Sequence, residues 1–311
     1  MFLEQGIKPN NFFGKYLLGI FIIFFAYQLG SIPLILVGLV NSMKSKKNVF
    51  TPDDILKSMD PNLSLFLMLI LFVFAAIAIY LVIKYLHQQT ILSVTTSRTK
   101  VDYKRVFFSF SVWGLISVAS VLYMYFMPNT ELVVQFQPVK FAILCVIVLL
   151  MIPIQTSAEE YVFRGYLMQG VAGLAKNRWL PLVITSFGFG LMHIANPEVT
   201  KMGYFILVYY IGTGFFLGII TLMDEGMELA LGFHAANNIV GALLVSSDFG
   251  VFQTYAIFKD NSIPTAGFET IIIPVFILFP MLLFIFSRKY GWTNWQEKLT
   301  GKILISNSKK S

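Results

Sequence analysis

Five ionisable side chains fall within or beside long apolar runs of this sequence. Glu159, Glu160 and Arg164 occur in AEEYVFRGYL, His193 ends FGFGLMH, and His234 lies in GFHAANN. Ionisable groups inside a membrane segment are costly, so their default reading is functional. Neighbouring residues on a 3.6-residue helix point about 100° apart, so Glu159 and Glu160 cannot both face one partner. Glu160 and Arg164 are four apart, share a face and can pair, which limits the desolvation penalty of both charges. Glu159 is then left to point into a cavity: one carboxylate supports and the other works. Rotamer choice keeps the reverse assignment open. Phe189 and His193 share a face, as do His234 and Asn238, whose imidazole and carboxamide can together donate hydrogen bonds to one acceptor. Singly, such groups are explained by packing, since a lone histidine often satisfies a carbonyl and a Glu–Arg pair can lock two helices. Five of them on three segments at compatible depth point to one shared site.

The elements that must position these groups are membrane helices. The chain has 311 residues, 57% hydrophobic and 13% charged, with a mean hydropathy of +0.74. A soluble protein carries about a quarter charged residues. Apolar runs long enough to cross a bilayer cover roughly 16–40, 63–86, 106–127, 138–173, 179–196, 203–223, 227–246 and 268–287. Continuous apolar runs exclude a barrel, so the fold class is all-α, a polytopic transmembrane helical bundle of about eight spans. The fourth run is too long for one straight span, and Pro153 is the expected kink. The first run is too long for a cleavable signal. The net charge of +7 sets topology and does not suggest nucleic acid, because no basic stripe with interleaved aromatics is present. Cys145, the single cysteine, is a packing residue.

An even number of spans puts both termini on one side. Basic residues concentrate there (Lys8, Lys15, Arg98, Lys100, Lys104, Arg105, Lys176, Arg178 and the tail from Arg288), so that side is expected to be cytoplasmic, in a plasma membrane. Trp292 and Trp295 read as an interfacial anchor, His87 as a structural residue within reach of headgroups, and residues 41–62 as the longest polar loop. If helices four and five form a hairpin turning at Lys176–Arg178, Glu160 and His193 both lie about 24 Å from the turn. His234 matches that depth if the hairpin protrudes, and the site then opens toward the side of the termini. The acidic turn with Asp224, Glu225 and Glu228 would lie near its mouth. Gly188, Gly190, Gly212, Gly214, Gly218 and Gly232 either leave room for a hydrated cavity or let helices pack tightly.

EEYVFR fits EExxxR, the run from Phe189 to His193 fits FxxxH, and HAANN fits HxxxN. In this order on membrane helices they resemble the CPBP intramembrane proteases. That family includes CAAX prenyl endopeptidases and bacterial relatives linked to bacteriocin processing or self-immunity. The match covers roughly 140–250. It suggests three regions: 1–137 with three spans and no motif, a protease core over 138–250, and 251–311 with the last span and a basic tail. The resemblance implies peptide-bond hydrolysis, with Glu159, Glu160, His193, His234 and Asn238 at the catalytic centre and Arg164 supporting. In one version Glu159, helped by His193, deprotonates water while His234 and Asn238 stabilise the oxyanion. In another a zinc ion held by Glu159, His193 and His234 activates the water, although HExxH is absent. The expected partners are membrane lipid and a peptide or protein substrate, prenylated in the CAAX branch. A noncatalytic scaffold or immunity protein of the same fold is the alternative reading. A transporter is disfavoured because no internal repeat is found.

Overall fold

The computed structural model describes residues 1–8, 11–45 and 52–303. Part of the 41–62 loop and the last residues of the tail therefore lie outside the described residues. Eight principal helices run in chain order. They are α1 (Phe13–Lys44), α2 (Pro61–Leu86), α3 (Tyr103–Phe126), α4 (Pro138–Ala175), α5 (Trp179–Leu191), α6 (Tyr204–Asp224), α7 (Glu228–Leu244) and α8 (Phe268–Tyr290). Six are long and apolar enough to cross a membrane; α5 is shorter, and α7 has 17 residues. Large apolar side chains such as Phe21, Leu115, Leu150, Phe276 and Phe284 stand exposed along the bundle, the surface expected to meet acyl chains.

Local signals account for several helix ends. Asp60 caps α2 by accepting from the Asn62 and Leu63 amides, with Pro61 at the first helical position. Asp102 caps α3 through the Lys104 amide. Left-handed residues close three helices, Lys176 after α4, Glu225 after α6 and Gly291 after α8. Residues 41–62 are less loop than the sequence suggested, because the first helix continues to Ser45 and Pro52–Lys57 is helical.

Helix α3 packs along α7, α5 along α6, α1 along α2, and α4 against both α2 and α7. Small residues set the close approaches. A side chain at Gly214 would meet the Ser186 carbonyl oxygen at 2.5 Å, and one at Gly232 would collide with the Val106 carbonyl oxygen. Gly190, Gly212 and Gly218 likewise face Ile211, Val275 and Leu182. None of the six glycines lines the cavity described below, so tight packing is their role. Helical structure continues through Pro153; the irregularity of α4 falls instead at Tyr161–Leu167, a wider π-type stretch.

Two features escaped the sequence. A three-stranded sheet joins β1 (Leu132–Val134), β2 (Val245–Ser247) and β3 (Phe258–Asp260), with β3 central, antiparallel to β1 and parallel to β2. Its strands have three residues each, too short for a period to register. At the opposite end the first residues and the segment ending at Ile303 are tied down. The Phe2 amide donates to Glu225, Arg178 pairs with Glu4, and the Ile303 amide donates to Lys176. Trp292 is buried within the protein and donates to Asp224. His87 is buried too, bonded to Tyr166 and Asn11.

Candidate active site

The groups expected to converge do so around the C-terminal half of α4. Glu160 and Arg164 are fully buried and joined at 2.8 Å. The Arg164 guanidinium also donates to the Gly214 carbonyl and lies over the Phe189 ring, 4.2 Å from its centroid. The same Glu160 oxygen accepts from His234 Nδ1 at 2.8 Å. Burial of this cluster is tolerable because each charge meets an opposite charge or a hydrogen-bonding group.

Because His234 Nδ1 carries the proton given to Glu160, its Nε2 faces the other carboxylate. It lies 3.6 Å from Oε2 of Glu159, an enclosed oxygen with no hydrogen-bond partner. Oε1 of Glu159 accepts from Gln155. The two glutamates thus divide as their spacing predicts: Glu160 binds the arginine, and Glu159 is turned to a cavity.

That cavity has a volume of about 390 Å³ and is lined by Gln155, Glu159, His193, His234 and Asn238, among others. His193 bonds through Nδ1 to the Phe189 carbonyl at 2.8 Å and stacks on Tyr210 at 4.2 Å. Asn238 donates to Gln155 at 3.0 Å and accepts from Asn237 at 3.1 Å. The motif phenylalanine, Phe189, is wedged between Arg164 and both histidines. Sequence reasoning missed Gln155, Tyr210 and Asn237. Uncharged polar and aromatic residues in a membrane helix are ordinary, and only their partners mark them.

The far lining residues, Asn196, Glu198, Gly241, Val251 and Phe252, belong to the sheet end of the bundle, away from both termini. The expectation of a mouth on the terminal side is therefore corrected. The acidic turn does not border the cavity: Asp224 and Glu228 are buried in ion pairs with Arg98 and Arg105, and Glu225 faces Arg178. Helix α7 carries the reason. Glu228 begins it, just after the turn from Asp224, and His234 lies almost two turns further along, beneath the closed charge network.

The metal-ligand set read from the sequence does not assemble. Among the described residues no three His, Cys, Asp or Glu side chains come together as a metal-binding group. Glu159 and His234 are adjacent, and His193 lines the same cavity with its Nδ1 bonded to the Phe189 carbonyl and its ring stacked on Tyr210.

Fold and site together define a polytopic helical membrane protein with a buried Glu–His–Arg cluster beside a polar cavity. Residues 138–240 match the family described as type II CAAX prenyl endopeptidase, Rce1-like, and every candidate site residue falls within them. The resemblance carried by the three motifs therefore holds over that segment, and peptidase activity is the property of that family. The chain is also 28% identical over 247 residues to the uncharacterized protein YyaK of Bacillus subtilis (strain 168), covering 79% of this chain and 82% of that protein. No solved structure matches.

Proposed function

We propose that this protein is an intramembrane endopeptidase in which Glu159 activates water. The carrying observation is the free Oε2 of Glu159 facing His234 Nε2 at 3.6 Å within a polar cavity. A water between them can give its proton to Glu159 while its oxygen attacks a carbonyl carbon held in the cavity. Glu159 then delivers that proton to the departing amine nitrogen. Glu160 and Arg164 fix the His234 ring and its tautomer, as a carboxylate does for a catalytic histidine. The second amide hydrogen of Asn238 is the proposed donor to the oxyanion, and His193 borders the same space. The proposed steps use these side chains and water alone.

The substrate class follows from the surroundings. A second, apolar cavity of about 370 Å³ lies between α1, α2 and α4, and Glu159 lines it too. A peptide presenting an apolar group to lipid and its scissile bond to the polar cavity suits this pair; a prenylated C-terminus is one such peptide. The test is Glu159→Gln. Cleavage of membrane peptides, read as new termini by mass spectrometry, should fall by about 10²–10⁴ with folding intact. Full activity of the purified variant would remove Glu159 from the mechanism, whereas no cleavage by the wild type itself would leave only the scaffold or immunity reading.

A further inference from the structure

We infer that Gln155, Asn237 and Trp113, none of which belongs to the three motifs, are positioning residues for Glu159; the inference rests on reading Glu159 as the water-activating base. Four hydrogen bonds form one chain across three helices. Trp113 Nε1 on α3 donates to Asn237 Oδ1 on α7 at 3.1 Å. Asn237 Nδ2 donates to Asn238 Oδ1 at 3.1 Å, and Asn238 Nδ2 donates to Gln155 Oε1 on α4 at 3.0 Å. Gln155 Nε2 donates to Glu159 Oε1.

Every donation runs toward the carboxylate, and both ends fix that direction. An indole N–H can only donate, so Asn237 must turn its oxygen to Trp113 and its amide group onward. An ionised carboxylate only accepts, so Gln155 must turn its amide group to Glu159 and its oxygen back to Asn238. The three amides between have no other consistent orientation. Aligned donors polarise one another in a low-dielectric interior. The far end is rigid: Trp113 is buried, its ring 4.5 Å from that of Phe233 and 6.0 Å from that of Phe279.

The consequence is geometric. With Oε1 held by Gln155 from its own helix, one turn earlier, Oε2 is left aimed at His234. The motif asparagine, Asn238, is thereby a relay between α7 and α4 in addition to bordering the cavity.

The test labels the purified full chain in detergent with dicyclohexylcarbodiimide, an apolar reagent that modifies protonated carboxyl groups, and follows Glu159 by peptide mass spectrometry at pH 7. Gln155 caps Oε1 of Glu159 and holds its rotamer, so removing that donor should open the carboxyl group to the reagent. Gln155→Met, close in shape and without the donor, should accelerate labelling about tenfold or more. Trp113→Phe, which keeps an aromatic ring and deletes the indole N–H, should accelerate it about two- to threefold from three residues away. Glu159→Gln supplies the unlabelled control. Unchanged labelling in both variants, whatever their thermal stability, would overturn the inference and leave the chain as packing alone. If Gln155→Met does not fold, Trp113→Phe decides. The readout needs no substrate, so its failure leaves the hydrolase reading standing on Glu159→Gln cleavage.

Discussion

One carboxylate oxygen organises the site. Oε1 of Glu160 accepts from both Arg164 and His234, so a buried charge, a buried counter-charge and a histidine tautomer depend on a single atom. Arg164 brings two further contacts, the Gly214 carbonyl and the Phe189 face, which makes it a structural hub of the site. Replacing it with methionine would strand Glu160 without its cation. Breaking a buried pair this way costs about 3–5 kcal/mol, so R164M should lower the unfolding free energy by that order, read by thermal or denaturant melting in detergent. Arg164→Lys should recover part of the loss, because a lysine keeps the charge but not the planar fork that reaches Glu160 and Gly214 together.

At the scale of elements, the cluster stands on close helix contacts. Helices α5 and α6 meet where Gly214 faces the Ser186 backbone, and the Gly214 carbonyl is itself a partner of Arg164. Gly214→Val would force the helices apart, at a cost of about 1–3 kcal/mol for overpacking, and should reduce cleavage along with the melting temperature. A second contact lies just beyond α2. His87, outside the spanning segment, bonds to Tyr166 on α4, and burial pushes its pKa down to about 4, helped by Lys15 and Lys8. The unfolded chain, with an ordinary value of 6.5, binds the proton more readily than the folded one. The His87 contribution to stability is therefore complete above about pH 6.5 and is lost as pH falls toward 4. The wild type should melt at lower temperature at pH 4.5 than at pH 7, and His87→Gln should show a smaller difference.

The whole molecule places an ion-paired, closed face at the terminal end and a polar cavity toward the sheet end. The closed face holds Arg98, Arg105, Asp224 and Glu228 with Trp292 beneath, so its charges are spent on one another. Glu159, His193 and His234 line this cavity, but among the described residues they do not come together as a metal-binding group. Hydrolysis should accordingly survive dialysis against EDTA or 1,10-phenanthroline. Loss of activity on chelation with recovery on adding zinc would replace the water-activation mechanism proposed above with a metal-assisted one.

Helix type, the helix pairing of Glu160 with Arg164 and the identity of the polar groups were legible in the sequence by itself. Those features follow from local periodicity and from the cost of charge in an apolar run, and neither needs a neighbour to be known. Only the tertiary structure decided that His234 reaches Glu160, that Asn238 donates to Gln155, and that Gln155, Asn237 and Trp113 join the site. It also placed Asp224 and Glu228 in buried pairs away from the mouth, and opened the cavity at the sheet end. These outcomes depend on which faces of α3, α4 and α7 meet, and hydrogen bonds between residues as far apart as Trp113 and Asn237 have no local spacing to reveal them.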